Sequence, residues 1–95
     1  MSEPRKEVQW FSEQMEAALK ANDHKGGWYD CEEGWLLRRL SQELQELRQA
    51  RTKGREAVIK ECADIANFAM MIADNREKQW GYDERDKQPT PQEAR

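Results

Sequence analysis

The chain has 95 residues and a net charge of −3; 37% of its residues are charged and 37% are hydrophobic. This length predicts one domain, and the mixed charge argues against a general attraction to nucleic acid. No apolar run reaches the roughly 20 residues of a membrane helix, and the polar N-terminus has no signal-peptide core, so we expect a cytoplasmic protein with no membrane contact. A chain this small and polar buries little surface, which favours a homo-oligomer that completes the core between subunits.

The first predicted helix spans about residues 4–22. Ser2 can cap this helix, and Pro4 suits its first turn. Apolar residues recur at steps of three and four and predict one buried face, formed by Val8, Phe11, Met15, Ala18 and Leu19. Trp10 lies off that face, where another subunit can contact it.

A second helix is predicted from Cys31 to Arg51. Gly26 and Gly27 interrupt the helical pattern before it. Asp30 as cap, with Glu33 three residues later, resembles a capping box. The apolar stripe of this helix is formed by Leu36, Leu37, Leu40, Leu44 and Leu47.

The third helix is predicted over residues 55–79, with Thr52 as a possible cap. It is apolar around much of its circumference, so we expect it at the centre of the assembly. From Glu84 onward the chain is polar and contains Pro89 and Pro91, which predicts a disordered tail. We therefore expect a single all-α domain over residues 1–83, a helical bundle completed by oligomerisation.

Two pairs of acidic residues stand at the edges of the apolar stripes. Glu43 and Glu46 lie three residues apart on the second helix, and Glu61 and Asp64 lie three apart on the third. Residues three apart share one side of a helix, so antiparallel packing would bring all four carboxylates together. Such a cluster requires a hard cation such as Mg²⁺, because like charges repel and oxygen is the ligand that Mg²⁺ prefers.

This pattern resembles the MazG-like all-α nucleoside triphosphate pyrophosphatases. Their signature is E-x-x-E followed, after a dozen to two dozen residues, by E-x-x-D. Here Glu43 and Glu46 precede Glu61 and Asp64, and the resemblance covers residues 28–75. Many members carry a further acid directly before the first signature Glu, where this chain has Gln42.

The resemblance implies hydrolysis of ribo- or deoxyribonucleoside triphosphates to the monophosphate and pyrophosphate, with Mg²⁺ or Mn²⁺ as cofactor. It also implies dimers or tetramers built from four-helix bundles. Under this hypothesis the metal ligands and catalytic residues are Glu43, Glu46, Glu61 and Asp64. One of them would activate the attacking water, with Glu46 as a candidate.

Several residues near the acidic pairs are candidates for substrate binding. Lys25 can pair with a phosphate and Trp28 can stack on a base, while His24 lies in the same glycine-bearing loop. Asn67 follows Asp64 by three residues and can contact metal, sugar or phosphate. Two basic residues between the metal helices can also reach phosphates, Lys53 and Arg55.

Two other interpretations remain open from the residues. One is a non-catalytic helical adaptor or regulator that binds a partner through the apolar third helix. The other is a related hydrolase that acts on a different pyrophosphate, such as a phosphoribosyl nucleotide.

Overall fold

The computed structural model describes residues 3–81, without the side chains of residues 80 and 81. Within this range the chain forms three long helices and one short 3₁₀ turn, and no strand. The helices are α1 (Lys6–Ala21), α2 (Glu33–Ala50) and α3 (Arg55–Gly81), and the 3₁₀ turn is Asp23–Lys25. The prediction of an all-α fold is confirmed for these residues, whereas Ser2 and the expected tail lie outside them.

Both predicted caps of the longer helices are wrong. Glu32, and not Asp30, precedes α2, and it makes no side-chain capping bond. The start is later than predicted because a turn comes first, in which the Cys31 amide donates to the Trp28 carbonyl at 3.1 Å. The Thr52 hydroxyl donates to the Gln49 carbonyl at 3.2 Å, so this residue closes the end of α2 instead of capping α3.

Helix α3 packs against both other helices, while within residues 3–81 the backbones of α1 and α2 do not approach each other closely. Helices α2 and α3 are antiparallel: Glu33 pairs with Arg76, the Trp35 ring meets the Phe68 ring, and Glu43 meets Glu61. Helix α3 is thus the central helix of the single chain, and its place at the centre of an assembly stays a prediction. The antiparallel pair is what places the two acidic motifs opposite each other.

The apolar core of the described residues is small. It consists of Leu36, Ala50 and Ala63, and α1 contributes no buried residue. Val8, expected on the buried face of α1, is 55% exposed. Three large apolar side chains of α2 are nearly as exposed: Trp35, Leu37 and Leu44. None of the described helices combines the length and the apolar character that crossing a bilayer requires.

Candidate metal centre

Three carboxylates converge where α2 faces α3. One oxygen from each of Glu43, Glu46 and Glu61 lies within 4.8 Å of the others. Glu43 is 4% exposed, Glu61 is partly buried, and Glu46 is open to solvent. Asp64, the fourth predicted ligand, lies outside this group of three, although its charge still acts on Glu43. We call these four residues the carboxylate cluster.

The deepest oxygens of the cluster have no hydrogen-bond partner among the described residues. They are Oε1 of Glu43 and Oε1 of Glu61. A buried polar atom without a partner destabilises a fold by about 1–3 kcal/mol, and by more when it is charged. Oxygen-only donor sets of this kind suit hard divalent cations, so the glutamate group can hold a metal ion.

The electrostatics of the cluster are dominated by Glu43. Burial raises the pKa of its carboxyl to about 7. The protonated carboxyl can donate to Glu61, and this and the charges of Glu46 and Asp64 act in the same direction. The Arg39 guanidinium opposes this rise in pKa without cancelling it. Glu43 can therefore hold a proton up to near neutral pH, and a bound cation would displace that proton.

Two cations border the cluster, and neither was predicted from the sequence as a site residue. Arg39 Nη2 donates to Glu43 Oε2 at 2.7 Å, and its guanidinium lies 5.1 Å from the centre of the Phe68 ring. Lys60 Nζ lies 3.0 Å from Asp64 Oδ2 and 3.7 Å from Glu61 Oε2. The hydrogen bond to Asp64 raises the pKa of Lys60. The signal in the sequence is the four-residue spacing of 39 from 43 and of 60 from 64.

A cavity of about 320 Å³ lies beside the cluster, between the loop after α1 and helices α2 and α3. Three aromatic rings line it, those of Trp28, Trp35 and Phe68. Two cations, Lys25 and Arg39, and one acid, Asp23, line it as well. We call this cavity the aromatic slot. Because Arg39 lines the slot and also binds Glu43, the slot and the carboxylate cluster are adjacent.

The loop that carries Trp28 is fastened to the far half of α3. Trp28 Nε1 donates to Asp74 Oδ2 at 3.1 Å, and Asn75 Nδ2 donates to the Trp28 carbonyl at 2.9 Å. Nearby, Arg76 binds Glu33 through two hydrogen bonds of 2.7 and 3.0 Å. We call these contacts the loop clasp; they hold Trp28 half-buried at the wall of the slot.

The other predicted substrate-binding residues are not gathered in one place. Asn67 is buried and donates from Nδ2 to the Met15 carbonyl at 3.0 Å, so it ties α3 to α1. His24, Lys53 and Arg55 are exposed and do not line the slot. Arg55 instead lines a separate groove between α1 and α3, which also contains Trp10.

Comparisons of the chain with models of protein families, with curated protein sequences and with solved structures found no match. The case for a function therefore rests on the residues of the site.

Proposed function

We propose that this chain is a cytoplasmic, Mg²⁺-dependent nucleoside triphosphate pyrophosphohydrolase of the MazG-like type. The observation that carries the proposal is the pair of buried, unpartnered carboxylate oxygens on facing helices, Oε1 of Glu43 and of Glu61. Such oxygens are costly to a fold and are explained by a cation that binds them. The E-x-x-E and E-x-x-D spacing supports the same family.

The metal ligands in this proposal are Glu43, Glu46 and Glu61, with Asp64 released to join them when its lysine partner moves. Mg²⁺ fits best because every donor is a carboxylate oxygen, and Mn²⁺ accepts the same donors. When bound, the cation neutralises phosphate charge and polarises the phosphoryl oxygens.

Glu46 is the proposed base. It is the exposed glutamate of the group, so water reaches it, and no cation lies within salt-bridge distance of it among the described residues. Glu46 takes a proton from the water as the water oxygen bonds to the α-phosphorus. The bond from that phosphorus to the bridging oxygen breaks, and pyrophosphate leaves.

The aromatic slot is the proposed site for the nucleobase. A flat ring suits a cavity lined by Trp28, Trp35 and Phe68, since stacking on aromatic faces is tolerant of base identity. Lys25 and Arg39 line the same cavity and can attract the negative phosphates toward the carboxylate cluster.

A homodimer is proposed because α2 carries a further apolar seam beside its buried face, part of which is open to solvent. Its residues follow a heptad pattern and are Leu37, Leu40, Leu44 and Leu47. Leu37 and Leu44 are 49% and 45% exposed. Apolar residues at steps of three and four are what pairs of helices bury between them. A second copy would cover this seam and complete the thin core.

The proposed activity is tested by measuring pyrophosphate release from each common ribo- and deoxyribonucleoside triphosphate, with Mg²⁺ and with EDTA. We expect release that requires Mg²⁺ and leaves the monophosphate. A phosphoribosyl nucleotide is included, because preference for it would assign the related hydrolase activity instead. No release from any substrate, by protein that is folded by circular dichroism, would refute the enzyme.

The proposed dimer is tested by analytical ultracentrifugation of Leu44→Glu. A charge in the seam should yield monomer, whereas Val8→Glu, at an exposed apolar position on α1, should leave the mass of the wild type unchanged. A monomeric wild type would contradict the dimer.

A further inference from the structure

Helix α3 carries its own cation against the carboxylate cluster. Lys60 Nζ lies 3.0 Å from Asp64 Oδ2 and 3.7 Å from Glu61 Oε2, so one ammonium bridges both acids of the E-x-x-D motif. The two acids are nearly buried, with side chains 16% and 15% exposed, whereas the side chain of Lys60 is 67% exposed. The positive charge that neutralises these two acids therefore comes from a lysine side chain that is largely exposed to solvent.

Arg39, the other cation at the cluster, is held differently. Its guanidinium binds both Gln42 and Glu43 and lies over the Phe68 ring, and its side chain is half as exposed as that of Lys60. The position of the Arg39 guanidinium is therefore fixed by several partners at once. Lysine is a point charge on a flexible stem, and the carboxylates of Glu61 and Asp64 are its polar partners within residues 3–81. Of the two cations, Lys60 is the one that can leave.

We propose that Lys60 is a built-in competitor of the metal ion: it neutralises Glu61 and Asp64 in the metal-free protein and is displaced when a divalent cation binds. The inference rests on the proposed metal site and adds its regulation. A divalent cation that takes the oxygens of Glu61 and Asp64 meets a positive charge 3–4 Å from each of them, and both cannot occupy the same oxygens. Lys60 therefore weakens metal binding while protecting the empty cluster from its own repulsion.

The test is a titration of purified protein with Mn²⁺, followed by the electron paramagnetic resonance signal of the free ion. Lys60→Met should bind Mn²⁺ about fivefold to tenfold more tightly than the wild type, the size expected for one partly screened charge. Lys60→Arg keeps the charge and should bind as weakly as the wild type. The matched control is Lys78→Met, because Lys78 also pairs with an aspartate four residues away on α3, Asp74, outside the cluster. Its Mn²⁺ affinity should not change.

A second measurement separates competition from a purely structural role. In EDTA, Lys60→Met should melt at a lower temperature than the wild type, because the carboxylates lose their counter-ion. In saturating Mn²⁺ the two proteins should melt together, because the bound metal supplies the charge. A melting difference that persists unchanged in Mn²⁺ would overturn the proposal.

The outcomes distinguish this inference from the proposed function. Equal or weaker Mn²⁺ binding by Lys60→Met overturns the role of Lys60 and leaves the enzyme standing. Tighter binding without pyrophosphate release from any substrate supports Lys60 and refutes the enzyme. A wild type that binds no Mn²⁺ overturns the metal site and Lys60 together.

Discussion

The two ends of the α2–α3 pair handle charge in opposite ways. At the end that carries the loop clasp, Glu33 pairs with Arg76 and Asp74 also pairs with Lys78, so each of these carboxylates has its own cation. At the carboxylate cluster, four acids share Arg39 and Lys60, and two buried oxygens have no partner. Balanced charges are explained by the stability of the fold alone. Crowded, partly buried carboxylates cost stability, and this cost is the reason for proposing a cation at that end.

Of the substitutions proposed for the two ends, Glu46→Gln should change activity most. The change removes the proposed base and one metal ligand, so we expect kcat to fall by at least about a hundredfold. Because it also relieves repulsion in the cluster, the melting temperature in EDTA should stay the same or rise. Rates of pyrophosphate release and thermal melts check both effects.

Glu56→Gln is the control for this prediction. Glu56 is an exposed glutamate on α3 outside the cluster, so its neutral variant should keep wild-type activity. If Glu46→Gln unfolds in EDTA while Glu56→Gln does not, repulsion between carboxylates is not the main contribution of Glu46 to stability. The cluster would then not be the destabilising group of charges described above.

The two ends of the α2–α3 pair should contribute differently to the pH dependence of the free energy of unfolding. The pKa of Glu43 is raised from 4.5 to about 7, so between these values the folded chain holds a proton that the unfolded chain has lost. The free energy of unfolding in EDTA should therefore fall as pH rises from about 4.5 to 7, by roughly 1–3 kcal/mol. Melting temperature against pH in EDTA measures this, and Glu43→Gln should flatten that part of the curve.

Added Mg²⁺ should reverse the trend, since the cation binds the deprotonated carboxylates and stabilises the fold more as pH rises. A wild-type curve that is flat over this range in EDTA would mean that Glu43 is not protonated in the folded chain.

At the end that carries the loop clasp, variants of Trp28 show whether this loop contributes both to the stability of the fold and to substrate binding. Trp28→Ala removes a half-buried ring and the hydrogen bond to Asp74, so we expect a loss of about 1–3 kcal/mol in the free energy of unfolding and a raised KM. Trp28→Phe keeps an aromatic ring but no N–H, so it should lose about 1 kcal/mol and retain a KM near that of the wild type. Equal KM values for wild type and Trp28→Ala would argue against stacking.

The sequence predicted the helices and the meeting of the acidic pairs more reliably than it predicted their details. Spacing of three residues fixes which side of a helix an acid occupies, and the short connection between α2 and α3 makes them antiparallel, so Glu43 and Glu61 had to meet. Asp64 was expected as an equal partner, but its place beside Lys60 depends on side-chain conformation, which spacing does not determine.

Other features depend on contacts far apart in the chain. Trp28 binds Asp74 across 46 positions, and nothing in the local pattern of either residue indicates that pairing. The cap at Asp30 failed for a related reason, because the turn that Trp28 closes with Cys31 delays the start of α2. Arg39 and Lys60 were recoverable, since each lies four residues before an acid of the signature, but surface ion pairs with this spacing are common.

The smallest effect is expected where charges are already balanced, at Glu33. The Arg76 guanidinium lowers the pKa of this exposed carboxyl through a side-chain hydrogen bond. Its stabilisation is therefore present above the ordinary pKa of a glutamate and is lost as pH falls below it. Because the pair is exposed to solvent, Glu33→Gln should lower the melting temperature at pH 7 by no more than a few degrees, and the difference should shrink in high salt or at low pH.

Pyrophosphate release by Glu33→Gln should match that of the wild type, in contrast to Glu46→Gln. Melts at low and high salt, with activity measured on the same preparation, check this prediction. A large loss of activity in Glu33→Gln would mean that the clasp takes part in the reaction, and the division of the α2–α3 pair into a structural end and a chemical end would then be wrong.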